Sequence, residues 1–271
     1  SLGAAELTVA LHALLNTPED LLIWDVGHQA YVHKVLTDRA AVFHLNRTPE
    51  GPSGFPKRDE SPFDPFGVGH SSTALSALLG FARADAHLGR QRKRVAVIGD
   101  GAFTGGMVFE ALNDAGAHGD DVLVILHDNG QAIEENVGAL HQNGRYAAFM
   151  QSLGWNWMGG PVNGHDMPEL HSSLENALRQ TGPRVLHVQT KRPTLDSLGL
   201  EEKALSPDHF QEHFASALIA LAQEDPRIVG LTAAMAPGCS LDAFRAEFPH
   251  RFYDGGIAEQ HVLTQAAGMA A

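Results

Sequence analysis

Two short clusters in this chain hold residue types that bind a charged ligand. Gly99-Asp100-Gly101 directly follows the apolar run Val95 to Ile98, and Asn129 follows the next such run, Val122 to Leu126, after only two residues. Asp100 and Asn129 offer hard oxygen ligands of the kind Mg²⁺ takes together with phosphate oxygens. The glycines let the backbone approach a diphosphate, and the following helix offers unpaired N–H groups to the same anion. A Gly-Asp-Gly triplet alone is most often an ordinary tight turn. Its pairing with Asn129 is what points to a site, because each group would sit at the carboxyl end of a buried strand, where open α/β sheets bind ligands. His28 and His70 each follow a glycine in a loop expected at that edge. His12, His87, His118, His171 and His213 lack this placement and read as structural or solvent-facing.

The elements that must position these groups alternate in type. Helical spacing covers Glu6 to Leu15, a strand Leu21 to Trp24 follows, and after a long loop a helix runs from Ser72 to about Leu88. The strands Val95 to Ile98 and Val122 to Leu126 flank a helix from Gly106 to Ala115. A helix from Met167 to Arg179 then leads into a strand Val185 to Val188. This order predicts a parallel sheet with crossover helices, the strands being continuous apolar runs buried on both faces. A second unit begins near Ser206-Pro207-Asp208, a possible N-cap for a helix Phe210 to Gln223, and continues with a strand Ile228 to Thr232 and a helix from about Glu259. The expected organisation is therefore residues 1–192, a linker 193–205, and the truncated start of a second domain at 206–271.

At 271 residues and 44% hydrophobic, the chain can bury a large core. Its formal charge of −13 disfavours a nucleic-acid or anionic-membrane partner, since both are held by Lys and Arg clusters. An acidic protein that binds a polyanion needs a cation or local backbone dipoles to offset repulsion, which fits a divalent metal. The single cysteine, Cys239, excludes an internal disulfide framework and fits a reducing, cytoplasmic setting. Every apolar run falls far short of the roughly 20 residues a membrane helix needs.

The Gly-Asp-Gly and asparagine pair resembles the thiamine-diphosphate signature that many decarboxylases and transketolases share. Further motifs narrow the resemblance: Trp24 to Tyr31, Phe66 to Thr73, Asn136-Val137-Gly138-Ala139, Gly160 to Asp166, and Tyr253 to His261. Together, in order and across nearly the whole chain, they resemble the 1-deoxy-D-xylulose-5-phosphate synthase family. The resemblance implies an α/β thiamine-diphosphate fold, a diphosphate-binding domain followed by the start of a pyrimidine-binding domain. It implies thiamine diphosphate and Mg²⁺ as cofactors, pyruvate and D-glyceraldehyde 3-phosphate as substrates, and a homodimer in the bacterial cytoplasm or plastid stroma.

By the same resemblance His28 and Gly69-His70-Ser71 line the cofactor's diphosphate and thiazolium, while Gly101 and Ala102 contact the diphosphate. Glu259 faces the aminopyrimidine, and Glu259, His28 and His70 form the catalytic set. Asp100, Asn129 and the backbone carbonyl of Gln131 hold the metal, Asn129 touching the cofactor as well. Without the resemblance Glu259 would read as a first-turn acid favoured by the helix dipole.

The chain also departs from the family. His127-Asp128-Asn129-Gly130-Gln131-Ala132 stands where members have Asn-Asp-Asn, an acidic or polar residue, Met and Ser, so a polar amide replaces the methionine expected near the thiazolium. A short Gly144-Arg145-Tyr146 connection replaces a long segment, Pro193-Thr194-Leu195 replaces a turn ending in a cofactor-contacting tyrosine, and Gly255 stands where members have another residue. A catalytic histidine and the acceptor's phosphate-binding arginines would fall before Ser1 and after Ala271. The rival readings are a transketolase, which transfers a ketol unit without losing CO2, and a cofactor-free regulatory relative.

Overall fold

A computed structural model describes residues 2–132, 135–142, 145–191, 193 and 209–270. From the amino terminus run α1 (Ala5–Leu14), β1 (Leu21–Asp25), the single turn α2 (Tyr31–Lys34), α3 (Ala74–Leu88), β2 (Arg94–Gly99), α4 (Gly106–His118) and β3 (Leu123–Asp128). Then come α5 (Arg145–Ser152), two short strands β4 (Asn156–Trp157) and β5 (Val162–Asn163), α6 (Met167–Arg179) and β6 (Arg184–Gln189). The sheet has the order β1-β2-β3-β6-β4, every pairing is parallel, and β5 also pairs with β6. β4 meets the start of β6 and β5 its end, so together they form one interrupted edge strand. The interruption passes through Gly160, at φ +113°, where a Cβ would stand 2.5 Å from the carbonyl oxygen of His187; only glycine fits there.

Apolar side chains alternate across the central strands and build a core on each face. Ala96, Ile98, Val124 and Leu126 pack with Leu75, Leu78 and Leu112 from α3 and α4. Val95, Val97, Leu123 and Ile125 pack with Leu7, Leu11, Leu170 and Leu174 from α1 and α6. Burial on both faces is why these strands lack polar alternation. Helices α3 and α4 end at Gly89 and Gly119 in left-handed conformation, and the Asp166 side chain caps α6 by accepting from Glu169 N at 3.2 Å.

The second unit comprises α7 (Phe210–Glu224), β7 (Gly230–Thr232), α8 (Asp242–Glu247), β8 (Phe252–Asp254) and α9 (Glu259–Ala270), with β7 and β8 pairing in parallel around Ala222, Ala236, Leu241 and Phe244. β8 has no counterpart in the expected elements. The expected cap at Ser206-Pro207-Asp208, and most of the linker 193–205, lie outside the described residues; α7 is preceded by His209, which makes no side-chain capping bond. His87, His118, His171 and His213 are exposed, and His12 is half-buried against His33, as their placement in sequence suggested.

The long segment between β1 and α3 carries His28 near one end and His70 near the other, and a buried ionic network holds it. His33 Nε2 lies 3.0 Å from Asp64 Oδ1, and its Nδ1 lies 2.9 Å from His12 Nε2. Arg39 reaches Asp64 at 2.6 Å and Glu60 at 3.0 Å, while Lys34 Nζ donates to the Ser53 carbonyl at 2.7 Å. Burial alone would raise the Asp64 carboxyl, but hydrogen bonds from His33, Arg39 and the Lys57 N–H outweigh it and hold the carboxyl at about 2. A carboxyl depressed on folding stabilises the protein above its unfolded value of 3.8, and that stability is lost as pH falls through about 2. Asp64→Asn should therefore cost about 2 kcal/mol at pH 6, by the shift alone. The gap from wild type should close as pH falls from 4 toward 2; denaturant unfolding across that range checks it, and a gap independent of pH would contradict the charge assignment.

Candidate active site

The parallel register brings three strand ends to one edge. Asp25 ends β1 opposite Ile98, and Gly99 pairs with His127, so Asp100 and Asn129 emerge side by side. Beside them lies a cavity of about 350 Å³, with His28, Asp100, Gly101, Ala102, Asn129 and Gln131 on its wall. Those six expected site residues are brought together. Gly69, His70, Ser71 and Glu259 are not on that wall, but His70 Nε2 and Glu259 Oε1 approach each other to 3.7 Å, with both side chains about half exposed. Ile257, two residues before Glu259, does line the cavity, so the second unit closes over the first at this point.

Asp25 anchors the loop that carries His70. Its carboxylate accepts the N–H groups of Ser72 at 2.8 Å and Ala74 at 3.0 Å. Burial pushes the Asp25 carboxyl up, and those backbone donors act against the rise. Ser72 takes φ +71° to present its N–H, and its hydroxyl donates to the Ala102 carbonyl at 2.8 Å. This is why α3 begins at Ala74 and not, as its periodicity suggested, at Ser72. One turn thus links the end of β1, the His70 loop and the Gly-Asp-Gly turn. On the other side a Cβ at Gly101 would stand 2.6 Å from that of Ala132, so the Gly-Asp-Gly turn and the Asn129 loop touch where only glycine fits. A single 3-10 turn, Ala102–Thr104, separates this contact from the start of α4.

The electrostatics at the strand ends favour a cation. Asp100 is buried, with Oδ1 accepting the Gly101 N–H at 3.0 Å and Oδ2 the Asn136 amide at 2.6 Å. Desolvation, joined by the neighbouring Asp128, pushes its carboxyl up to about 6. Asp128 moves the other way, to about 2, because hydrogen bonds from His187 and the Gly130 N–H outweigh its own desolvation. Asn129 and Gln131 share the cavity wall with Asp100, and the Asn129 Oδ1 accepts the Gln131 N–H at 3.0 Å, so carboxylate and amide oxygens, the ligand types that Mg²⁺ takes, lie close together at this edge. Among the described residues no three His, Cys, Asp or Glu converge on one point, so a cation here would draw on amide, backbone and ligand oxygens as well. Asn136 donates to Asp100 through its amide nitrogen, while its buried Oδ1 has no hydrogen-bond partner.

Sequence reasoning overlooked several residues that shape this site. Asp25 and Gln29 lay inside a quoted motif without an assigned role; their signal was a carboxylate and an amide flanking Gly27-His28 at a strand end. Asp128 and Asn136 act only through contacts across the fold, which spacing does not reveal. His127 also lines the cavity.

Comparison with known proteins agrees with this geometry. The family model described as 1-deoxy-D-xylulose-5-phosphate synthase matches residues 1–146 and 143–190, and the transketolase pyrimidine-binding domain matches 209–271. The chain is 42% identical over 330 aligned positions to the 1-deoxy-D-xylulose-5-phosphate synthase of Thioalkalivibrio sulfidiphilus, covering all of this chain and 51% of that protein. It is likewise 42% identical to the synthase of Magnetococcus marinus, covering 100% of this chain and 53% of the relative. The chain thus spans about half the length of the curated relatives it matches. An alignment longer than the chain means that these relatives carry internal segments absent here, in keeping with the short connection at Gly144-Arg145-Tyr146. In fold it resembles a transketolase from Campylobacter jejuni, with a TM-score of 0.57 at 24% identity, over 68% of this chain and 32% of that one. The motifs, the cavity they build and the identity across the whole chain agree, and the chain belongs to the 1-deoxy-D-xylulose-5-phosphate synthase family.

Proposed function

We propose that this chain supplies the diphosphate-binding domain (1–192), a linker (193–205) and the start of the pyrimidine-binding domain (206–271) of a 1-deoxy-D-xylulose-5-phosphate synthase. The reaction joins pyruvate to D-glyceraldehyde 3-phosphate with release of CO2, the first step of isoprenoid supply by the methylerythritol phosphate route. The observation that carries this reading is the convergence of His28, Asp100, Gly101, Asn129 and Gln131 on one cavity in a chain so similar to curated synthases. Thiamine diphosphate, when bound, supplies an electron sink for the loss of CO2 from pyruvate.

In this reading Asp100, Asn129 and the Gln131 carbonyl would hold Mg²⁺, and the backbone at Gly101 and Ala102, on the same cavity wall, would contact the diphosphate. His28, exposed at the cavity, and His70 would line the diphosphate and thiazolium and form the catalytic set with Glu259. His70 Nδ1–H donates to the Ser71 carbonyl at 2.8 Å, which fixes the tautomer of the neutral ring and leaves Nε2 as an acceptor for a substrate hydrogen. The Glu259 carboxyl serves the aminopyrimidine. A homodimer in the cytoplasm completes the proposal. The absence of any helix long and apolar enough to cross a membrane, among the described residues, and the single cysteine are compatible with it.

The test is CO2 release by the full-length enzyme from pyruvate, with and without D-glyceraldehyde 3-phosphate. Release that depends on the aldehyde supports the synthase; transfer from a ketose phosphate without CO2 would mark a transketolase, and no Mg²⁺-dependent cofactor binding a regulatory relative. His70→Ala should lower turnover about 10²-fold with little change in melting temperature, because an exposed loop histidine packs against no core. Steady-state rates and thermal unfolding measured together check this, and a large loss of melting temperature with normal turnover would make His70 structural.

A further inference from the structure

His127 lies next to last in β3 and is 5% exposed, yet its carbonyl and both ring nitrogens reach residues outside β3. Its backbone carbonyl accepts the N–H of Asp100 at 3.1 Å. Ring Nδ1 bonds Oε1 of Gln29, and ring Nε2 lies 2.8 Å from Oγ1 of Thr190, just past the end of β6. Gln29 decides the direction of the first ring bond. Its amide nitrogen donates to the Asp25 carbonyl, which leaves its oxygen as the acceptor facing His127. Nδ1 must therefore carry a hydrogen, whichever charge the ring has, and in the neutral ring Nε2 accepts from the Thr190 hydroxyl.

Gln29 is buried and directly follows His28, which is exposed at the cavity. The turn holding the pair is closed by the backbone bonds Gln29 N to Val26 O at 3.2 Å and Ala30 N to Gly27 O at 3.1 Å, and by the Gln29 amide on the Asp25 carbonyl. A Cβ on Gly99 would stand 3.3 Å from Gln29 Nε2, so the Gln29 amide lies directly over the end of β2. We propose that His127 is a positioning residue: through Nδ1–H it holds Gln29, and with it the His28 turn, against the ends of β2, β3 and β6. The cavity then has its diphosphate-binding shape before ligand enters. Only the identity of that ligand rests on the function proposed above; the contact itself does not.

Two substitutions separate the ring's two bonds. His127→Asn keeps an amide nitrogen close to the position of Nδ1 and gives up Thr190, whereas His127→Gln extends toward the Nε2 position and gives up Gln29. Leaving the buried Gln29 oxygen without its donor should raise the Kd for thiamine diphosphate at saturating Mg²⁺ about 10-fold in the glutamine variant, and less than about 3-fold in the asparagine variant. Isothermal titration of the full-length protein reads this. Nitrogen-15 NMR of the ligand-free protein should show the His127 ring protonated at Nδ1, and His28 ring signals displaced in the glutamine variant but near wild type in the asparagine variant. An Nε2-only tautomer, or equal Kd values in wild type and both variants, would overturn the proposal, as would a melting temperature lowered equally in both with His28 unmoved. If the wild type binds no thiamine diphosphate, the functional reading fails, and the tautomer and His28 signals still decide the positioning role.

Discussion

Glu259→Gln is expected to lower turnover by about 10²- to 10⁴-fold while leaving cofactor affinity close to wild type, the range a lost proton-transfer group produces. Glu259 opens α9, two residues after Ile257 enters the cavity wall, and its carboxylate lies 3.7 Å from His70 Nε2. Glutamine keeps the size and the place at the helix start but can neither release nor take up a proton. Binding should survive because the residues proposed to hold the diphosphate and metal stand at the ends of β2 and β3 and not on α9. The direct readout is hydrogen–deuterium exchange at the thiazolium C2 of bound cofactor, followed by quenched-flow NMR, beside titration of cofactor affinity. Wild-type exchange in a variant that binds normally would reduce Glu259 to an acid favoured by the α9 dipole.

Asp100→Asn should weaken Mg²⁺-dependent thiamine diphosphate binding by about 100-fold or more, since even groups that only support metal ligands are worth about 10- to 100-fold. The same substitution should stabilise the ligand-free protein at neutral pH. Burial and Asp128 hold the Asp100 carboxyl at about 6, above its unfolded value of 3.8. Ionising it in the folded state therefore costs stability, and that cost grows as pH rises from 3.8 to about 6 and persists above. The amide removes the cost. Asn129→Ala should share the loss of metal-dependent binding without the gain, because it carries no charge to remove. Calorimetric titration with and without Mg²⁺, and melting temperatures of the ligand-free proteins at pH 7, measure both halves. Unchanged affinity in both variants would remove the metal assignment, and a less stable ligand-free Asp100→Asn would contradict a carboxyl raised by burial and by Asp128.

The two halves of this second prediction have one cause. If the edge receives a dication as proposed, its neighbouring carboxyl groups oppose one another without it, so stability would be given up where binding is gained. The segment between β1 and α3 shows the opposite arrangement, in which Asp64 and Glu60 already face His33, Lys34 and Arg39 within the chain.

Much of the molecule was legible in the amino-acid order because its cause is local. Val95 to Ile98 and Val122 to Leu126 read as doubly buried strands since an unbroken apolar run of that length has few other uses, and both are strands with every core position covered. The placement of Asp100, Gly101 and Asn129 at adjacent strand ends was readable because each directly follows, or nearly follows, an apolar run of strand length. Tertiary structure decided what depends on partners distant in the chain. The strand order, which sets β6 and not β4 beside β3, follows from which faces the helices cover. Ser72 leaves α3 because Asp25, at the end of β1, takes its N–H. Asp100 and Asp128 part in acidity because desolvation prevails at the first, against its bond from Asn136, whereas hydrogen bonds from His187 and the Gly130 N–H prevail at the second. Periodicity reports only neighbours within a turn or a pleat, whereas the electric field at a carboxylate and the free bond of a histidine ring are set by whichever residues the fold brings against them. The residue types at the ligand edge were therefore written in the sequence, and their protonation, their mutual distances and the role of His127 were decided by the packing of four strand ends.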